Sequence, residues 1–186
     1  MYTLLLVDDE EDVIEVIERK VSWEQIGFHV VGHAGNGFKA LEMMEDMQPD
    51  VVMTDIRMPY MDGLELCSNI RQRFPATKLL LFTGFDDFEY AKEAVHLEIE
   101  EYILKPLNLA EITEVFKKLK TKLDDELNEK KNTDILKQYY AASLPILQSN
   151  FYTTLIEGRI PENELGRYMR DYKIVLEGPY YCCIII

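Results

Sequence analysis

The sequence predicts an α/β fold: a doubly wound parallel sheet of five strands with a C-terminal helical extension. Two observations lead there. Apolar runs of strand length recur at residues Leu4 to Val7, Phe28 to Ala34, Val51 to Thr54, Lys78 to Thr83 and Tyr102 to Leu104, and between them apolar residues step at helical spacing. Strands that are apolar throughout, rather than alternating, belong in a parallel sheet covered by helices on both faces.

Each intervening helix has its own signature. Val13, Ile14 and Ile17 mark the first, Ala40, Leu41 and Met44 the second, Leu64, Cys67, Ile70 and Phe74 the third, and Phe88, Ala91, Ala94 and Val95 the fourth. Asn36-Gly37 opens the second helix, Pro75 closes the third, and Asp86-Asp87-Phe88-Glu89 reads as a capping box for the fourth. Five such units fill residues 1–123, one domain. From Leu109 a longer helical pattern sets in. Ile112, Phe116, Leu119 and Leu123 step by the spacing of a coiled-coil seam, which equally describes a last helix packed on the sheet. The stretch DDELNEKKNTD is polar all round, so residues 124–144 form a helical linker, either continuous with that last helix or broken from it. Ile135, Leu136, Tyr139, Tyr140 and Leu144 then restore an apolar face. Ser143-Leu144-Pro145 is expected to start another helix that Gly158 ends, and Pro161 to start a further one to about Tyr172. The final YYCCIII reads as a strand. Residues 145–186 are thus expected to be a helical segment and the start of a middle domain whose remainder lies in the parent protein.

Composition narrows the function. The 186 residues are 47% hydrophobic, enough for a core, and carry 34 acids against 20 bases, a formal charge of −14. Residues 1–123 hold 24 of the acids and 13 of the bases, so a cation or cationic partner is drawn to that part. Nonspecific binding to a phosphate backbone needs clustered cations and does not fit. Cys67, Cys182 and Cys183 are odd in number and lack metal-site spacing, which suits reduced thiols in a cytoplasmic protein. The opening apolar run has no basic segment before it and meets acids after about five residues, so it is neither a signal peptide nor a span of the roughly 20 residues a membrane helix requires.

The chain opens MYTLLLVDDEED, an apolar run that ends in five acids, Asp8, Asp9, Glu10, Glu11 and Asp12. In a doubly wound sheet, ligands gather beyond the carboxyl ends of the strands. Asp8 and Asp9 end the first strand, Asp55 the third, Thr83 the fourth and Lys105 the fifth, so residues distant in sequence fall into one pocket. Neighbouring carboxylates repel, and a divalent cation removes the conflict. Hard oxygen ligands in small number suit Mg²⁺, which commonly takes one or two carboxylates plus a phosphate. An EF-hand is excluded, because DDEED lacks the D-x-D-x-D-G spacing. One carboxylate of such a site can act as nucleophile toward a phosphoryl group. Any one of these residues alone is an ordinary cap, strand end or solvated charge. Their occurrence in this order, each at a strand end, is what points to phosphoryl chemistry.

LLLVDDEE, VVMTDIRMPYMDGLEL, LLLFTGFDDFEYAKEAV and EEYILKPLN together resemble the receiver domain of two-component response regulators, over roughly residues 1–123. The resemblance implies a flavodoxin-like sheet of order 2-1-3-4-5. It also implies that Asp55 is the phosphoacceptor and that Asp8, Asp9, Asp55 and the Arg57 backbone carbonyl hold Mg²⁺. Thr83 and Lys105 would contact the phosphoryl group, Tyr102 would change rotamer between states, Gly84 would leave room for the donor or a water, and Pro106 would follow a cis peptide. The partner implied is a sensor histidine kinase, with a homodimer on activation and no membrane. Residues 124–186 are similar to the regulators that carry a C-terminal AraC-type DNA-binding domain, which these residues do not include. DNA would be bound only through that region.

The expected function is a phosphorylation switch rather than an enzyme, though one that assists its own phosphoryl transfer and hydrolysis. Two other classes remain in view. A haloacid-dehalogenase-type phosphohydrolase would need an acid two residues after the nucleophile, where Arg57 stands. A pseudo-receiver, used only as a binding surface, would not need the full set of phosphorylation residues present here.

Overall fold

β1 (Tyr2–Val7) is fully buried from Leu4 to Val7, as a strand is only in the middle of a covered sheet. A computed structural model, describing residues 1–84, 94–105 and 108–175, places it there. β1 lies between β2 (Phe28–Ala34) and β3 (Val51–Thr54), and β4 (Lys78–Thr83) and β5 (Glu101–Leu104) follow outward from β3. All pairings are parallel and the order is β2-β1-β3-β4-β5, as expected. The capping box at residues 86–89, Pro106 and the YYCCIII strand lie outside the described residues.

Alternation along β1 divides the core in two. Leu4 and Leu6 join Ile14, Ile17, Phe28, Met53, Phe82, Ile112 and Phe116, while Leu5 and Val7 join Ala40, Met44, Ile56, Leu66, Cys67, Ile70 and Leu81. The first layer comes from α1 (Glu11–Lys20) and the start of α5 (Leu109–Ile156), the second from α3 (Gly37–Met47) and α4 (Gly63–Arg73). The caps explain where these helices begin. Asn36 accepts a hydrogen bond from Lys39 N–H, and Asp62 accepts from Glu65 N–H. α1 presents Glu11, Asp12, Glu15 and Glu18 to solvent and turns Ile14 and Ile17 inward. Cys67 is buried in the second layer, where burial pushes its thiol up to about 12.

One element was not anticipated. α2 (Trp23–Ile26) is a four-residue helix ended by Gly27 at φ +90, a left-handed conformation that costs glycine little. It inserts Trp23 into the first core layer. The indole N–H donates to the Ile17 carbonyl at 3.2 Å, and the ring meets Phe116 edge-on at 4.7 Å, which in turn meets Phe28 at 5.1 Å.

The chain divides into two units, Met1–Asp124 and Asp125–Ile186. In the first, Ile112, Phe116, Leu119 and Leu123 are buried in the core, so their spacing marks helix-on-sheet packing and not an open seam. In the second, the polar stretch is helical and solvated, and residues 125–143 are exposed throughout. The helix expected to begin at Pro145 does not: α5 is a single helix of 48 residues with Pro145 inside it. Proline here deprives only the Ala141 carbonyl of its helical donor, and both residues are exposed, so solvent can take the lost bond. α6 (Glu162–Asp171) follows a turn with Gly158 at φ +67 and packs back through Tyr172 against Phe151. Gln148 and Tyr140 hydrogen-bond to the carbonyls of Tyr172 and Asp171.

Two outcomes follow from this packing. Phe116→Ala, which empties the centre of the aromatic cluster, is expected to lower the unfolding free energy by about 3–5 kcal/mol in urea titration. Glu100 sits between Lys122 (2.6 Å) and Lys78 (3.4 Å). Burial alone would raise its carboxyl, but the two lysines outweigh this and hold it below the ordinary 4.5. A lowered folded-state value means that its contribution is complete above 4.5 and fades as pH falls through the lowered value. The stability gap between wild type and Glu100→Gln, no more than about 1 kcal/mol at neutral pH, should therefore close on acidification.

Candidate functional site

Sheet register builds the site. Val7 pairs with Thr54 in the β1–β3 ladder, and Thr83 pairs with Leu104 in the β4–β5 ladder, so the next residues, Asp8, Asp55 and Lys105, emerge along one edge. The ladders also continue one step beyond the strands: Asp8 N–H donates to Ala34, Asp55 N–H to Val7 at 2.8 Å, and Lys105 N–H to Thr83 at 2.7 Å. Each functional side chain thus stands on main chain that is already pinned.

The carboxylates of Asp8, Asp9 and Asp55 converge, with one oxygen from each lying within 4.8 Å of the others. Asp8 is 0% and Asp55 6% exposed, and the Lys105 ammonium bridges them at 3.0 Å and 3.1 Å. It also lies 4.8 Å over the Phe82 ring. Burial pushes the Asp8 carboxyl up, and the nearby Asp55 charge adds to this, against hydrogen bonds from Glu10 N–H and Lys105. For Lys105, burial by itself favours the neutral amine, but the hydrogen bonds and charges of Asp8 and Asp55 hold it above its ordinary range. One cation against three anions leaves a charge deficit, and an all-oxygen donor set of this kind fits a hard divalent ion.

The loop from Asp55 to Gly63 aims the central carboxylate. Ile56 N–H donates to Asp55 Oδ1 at 2.7 Å, and Gly63 N–H closes the loop on the Ile56 carbonyl at 2.8 Å. Gly63 has no substitute: a Cβ there would lie 1.9 Å from the Asp55 carbonyl oxygen. Met61 closes the outer side against Gly37. Within the same loop Tyr60 has φ 71 and is 87% exposed.

The other expected residues take the following places. Thr83 is buried at the end of β4 and Tyr102 is half-buried on β5 against the second core layer. Arg57 is exposed, and a Cβ at Gly84, beside Thr83, would meet none of the described residues within 4 Å. Three residues of the site had not been singled out. Glu10 reaches to 3.7 Å from the Lys105 ammonium. Gly63 stood inside the quoted DIRMPYMDG string, where a glycine before an apolar helix face was the available signal. Thr54 had only its strand position.

Gly63→Ala is expected to cost about 1–3 kcal/mol or more, because the clash is with main chain and cannot be relieved by a rotamer. Thermal denaturation checks it, with Gly37→Ala, whose nearest neighbours all belong to the flexible Met61 side chain, as the milder control.

Known proteins resemble this chain in sequence and fold. The family model of the response regulator receiver domain matches residues 4–117. The transcriptional regulatory protein YesN of Bacillus subtilis is 37% identical over 137 residues, which are 74% of this chain and 37% of that one. The transcriptional regulatory protein HptR of Staphylococcus aureus is 25% identical over 164 residues, 88% of this chain and 64% of that one. The chain therefore spans from about a third to under two thirds of the curated relatives it matches. Among solved structures, the REC domain of AraT, a response regulator from Geobacillus stearothermophilus, superposes with a TM-score of 0.64 at 36% identity, covering 68% of this chain and 98% of that one. A two-component transcriptional regulator AraC from Clostridium phytofermentans superposes with a TM-score of 0.60 at 29% identity, covering 69% and 99%. With its order 2-1-3-4-5 sheet, its acidic strand ends and these relatives, the chain belongs to the response regulator receiver family, the signalling proteins of two-component systems.

Proposed function

We propose that this chain accepts a phosphoryl group on Asp55 from the phosphohistidine of a sensor histidine kinase and relays the event to transcription. The observation that carries the reading is the convergence of Asp8, Asp9 and Asp55 with Lys105 bridging the two buried members. An Asp55 carboxylate oxygen forms the new P–O bond while the P–N bond of the donor breaks, its electron pair staying on the imidazole. Asp8, Asp9, Asp55 and the Arg57 carbonyl would hold Mg²⁺, which when bound would offset charge on the phosphoryl oxygens.

The remaining roles belong to this chain's own side chains. Lys105 already lies 3.1 Å from Asp55, and a short swing of its flexible stem brings the ammonium onto a phosphoryl oxygen. The Thr83 hydroxyl donates to another. Gly84, which carries no side chain and stands next to Thr83, leaves room for the donor or a hydrolytic water. Tyr102 turns inward as Thr83 is drawn toward the new charge, and the altered surface favours self-association. Residues 124–186 serve as connecting helix and the beginning of a middle domain, and DNA is bound by a C-terminal region beyond them. The setting proposed for the chain is cytoplasmic, as the family suggests.

Intact mass after incubation with a small phosphoryl donor tests this directly. Wild type with Mg²⁺ should gain one phosphoryl group, wild type without the ion little or none, and Asp55→Asn none while keeping its fold by circular dichroism. Uptake by the asparagine variant at the same site would sink the assignment.

A further inference from the structure

The peptide group joining Asp55 to Ile56 is held at both ends. Its N–H donates to Asp55 Oδ1 at 2.7 Å, which fixes one oxygen of the carboxylate and leaves Oδ2 to Lys105 at 3.1 Å. Its carbonyl accepts a 2.9 Å hydrogen bond from the Thr54 hydroxyl, the residue just before. The Asp55 N–H points to β1, where it donates to the Val7 carbonyl, and the β1–β3 pairing ends at Val7 and Thr54, so the Asp55 carbonyl on that same side has left the ladder where it would otherwise find a main-chain donor. Thr54 is 0% exposed, and among the described residues its single proton has only the Met58 thioether, 4.0 Å away, as a competing acceptor. Sulfur at that distance is the weaker partner.

We infer that the Thr54 hydroxyl is a positioning group for phosphoryl transfer: by holding the Asp55 carbonyl it sets the tilt of the Asp55–Ile56 peptide, and through the Ile56 N–H it aims the Asp55 carboxylate. The inference rests on Asp55 being the acceptor. Thr54 touches no reacting atom and acts only through the peptide. A buried hydroxyl is often no more than a satisfied core group. Here the carbonyl it satisfies belongs to the same peptide whose N–H holds the nucleophile, and Gly63 comes so near that carbonyl that a Cβ there would lie 1.9 Å from its oxygen. Rotation of this peptide moves the carboxylate against a donor, and misplacement of reacting atoms by about 1 Å can cost on the order of 100-fold in rate.

The test compares wild type with Thr54→Val, Thr54→Ser and Thr54→Ala, using phosphoramidate as donor in Mg²⁺ and intact mass as readout, below the melting transition of each variant. Thr54→Val should lose about tenfold or more in the saturated rate, with the half-saturating donor concentration changed by no more than about twofold. Thr54→Ser, which keeps the hydroxyl and loses the methyl, should stay within about threefold of wild type. If the valine variant does not fold, serine against alanine isolates the hydroxyl, and alanine should be the slow one. A valine variant as fast as wild type, or serine as slow as valine or alanine, would overturn the inference while leaving Asp55 in place. A wild type that takes no phosphoryl group overturns the Asp55 reading itself.

Discussion

Asp8 and Asp55 are buried side by side, and the ammonium of Lys105 is what makes that tolerable. Two ionised carboxylates within a few ångströms, largely withdrawn from water, would repel and lose solvation together. Lys105 lies between them at 3.0 and 3.1 Å and is itself held charged by the pair. The sheet order serves this arrangement: strands β1 and β3 are neighbours at the centre, and Lys105 at the end of β5 spans back across β4 to reach them. The three residues come from parts of the chain separated by 47 and 50 positions, and parallel register alone brings them together.

The same constraint shapes the supporting loop. The carboxylate proposed as acceptor is anchored at one oxygen by its own loop and held at the other by Lys105. Ile56 N–H anchors Oδ1, Gly63 allows the main chain to close tightly behind it, and α4 begins at once with Asp62 as its cap. Local turn chemistry and tertiary position agree at this point, which is the consistency expected where geometry matters most.

Much of this was legible in the sequence because parallel strands announce themselves twice, as continuous apolar runs and by what stands at their carboxyl ends. Asp8, Asp9, Asp55, Thr83 and Lys105 all follow or finish such runs, so a meeting at the strand ends could be expected before any geometry, and Asp8, Asp9, Asp55 and Lys105 do meet there. Other features escaped for definite reasons. The WEQI helix is too short to show a period, and only burial of Trp23 against Phe116 and Phe28 explains it. Steps of 4, 3 and 4 from Ile112 to Leu123 are common to a coiled-coil seam and to a helix lying on a sheet, and the sheet supplied the partner. Pro145 was expected to break a helix, but the rule counts the lost bond and not the exposed surroundings that make it bearable. The Thr54 hydroxyl was invisible, because a hydrogen bond from a side chain to the next residue's carbonyl leaves no periodic trace.

The acids along α1 bear on encounter as well as on structure. Glu11, Asp12, Glu15 and Glu18 project into solvent just beyond the Asp8–Asp9 corner, and the chain as a whole carries −14. Their summed potential enriches cations near the strand ends and depletes free anions over a distance that shrinks to about 8 Å at physiological ionic strength. A dissolved phosphate compound thus approaches against the field, while a metal ion or a positively charged protein surface approaches with it. For the proposed reaction, the shape of the potential alone would favour arrival of the cation over that of a free phosphate.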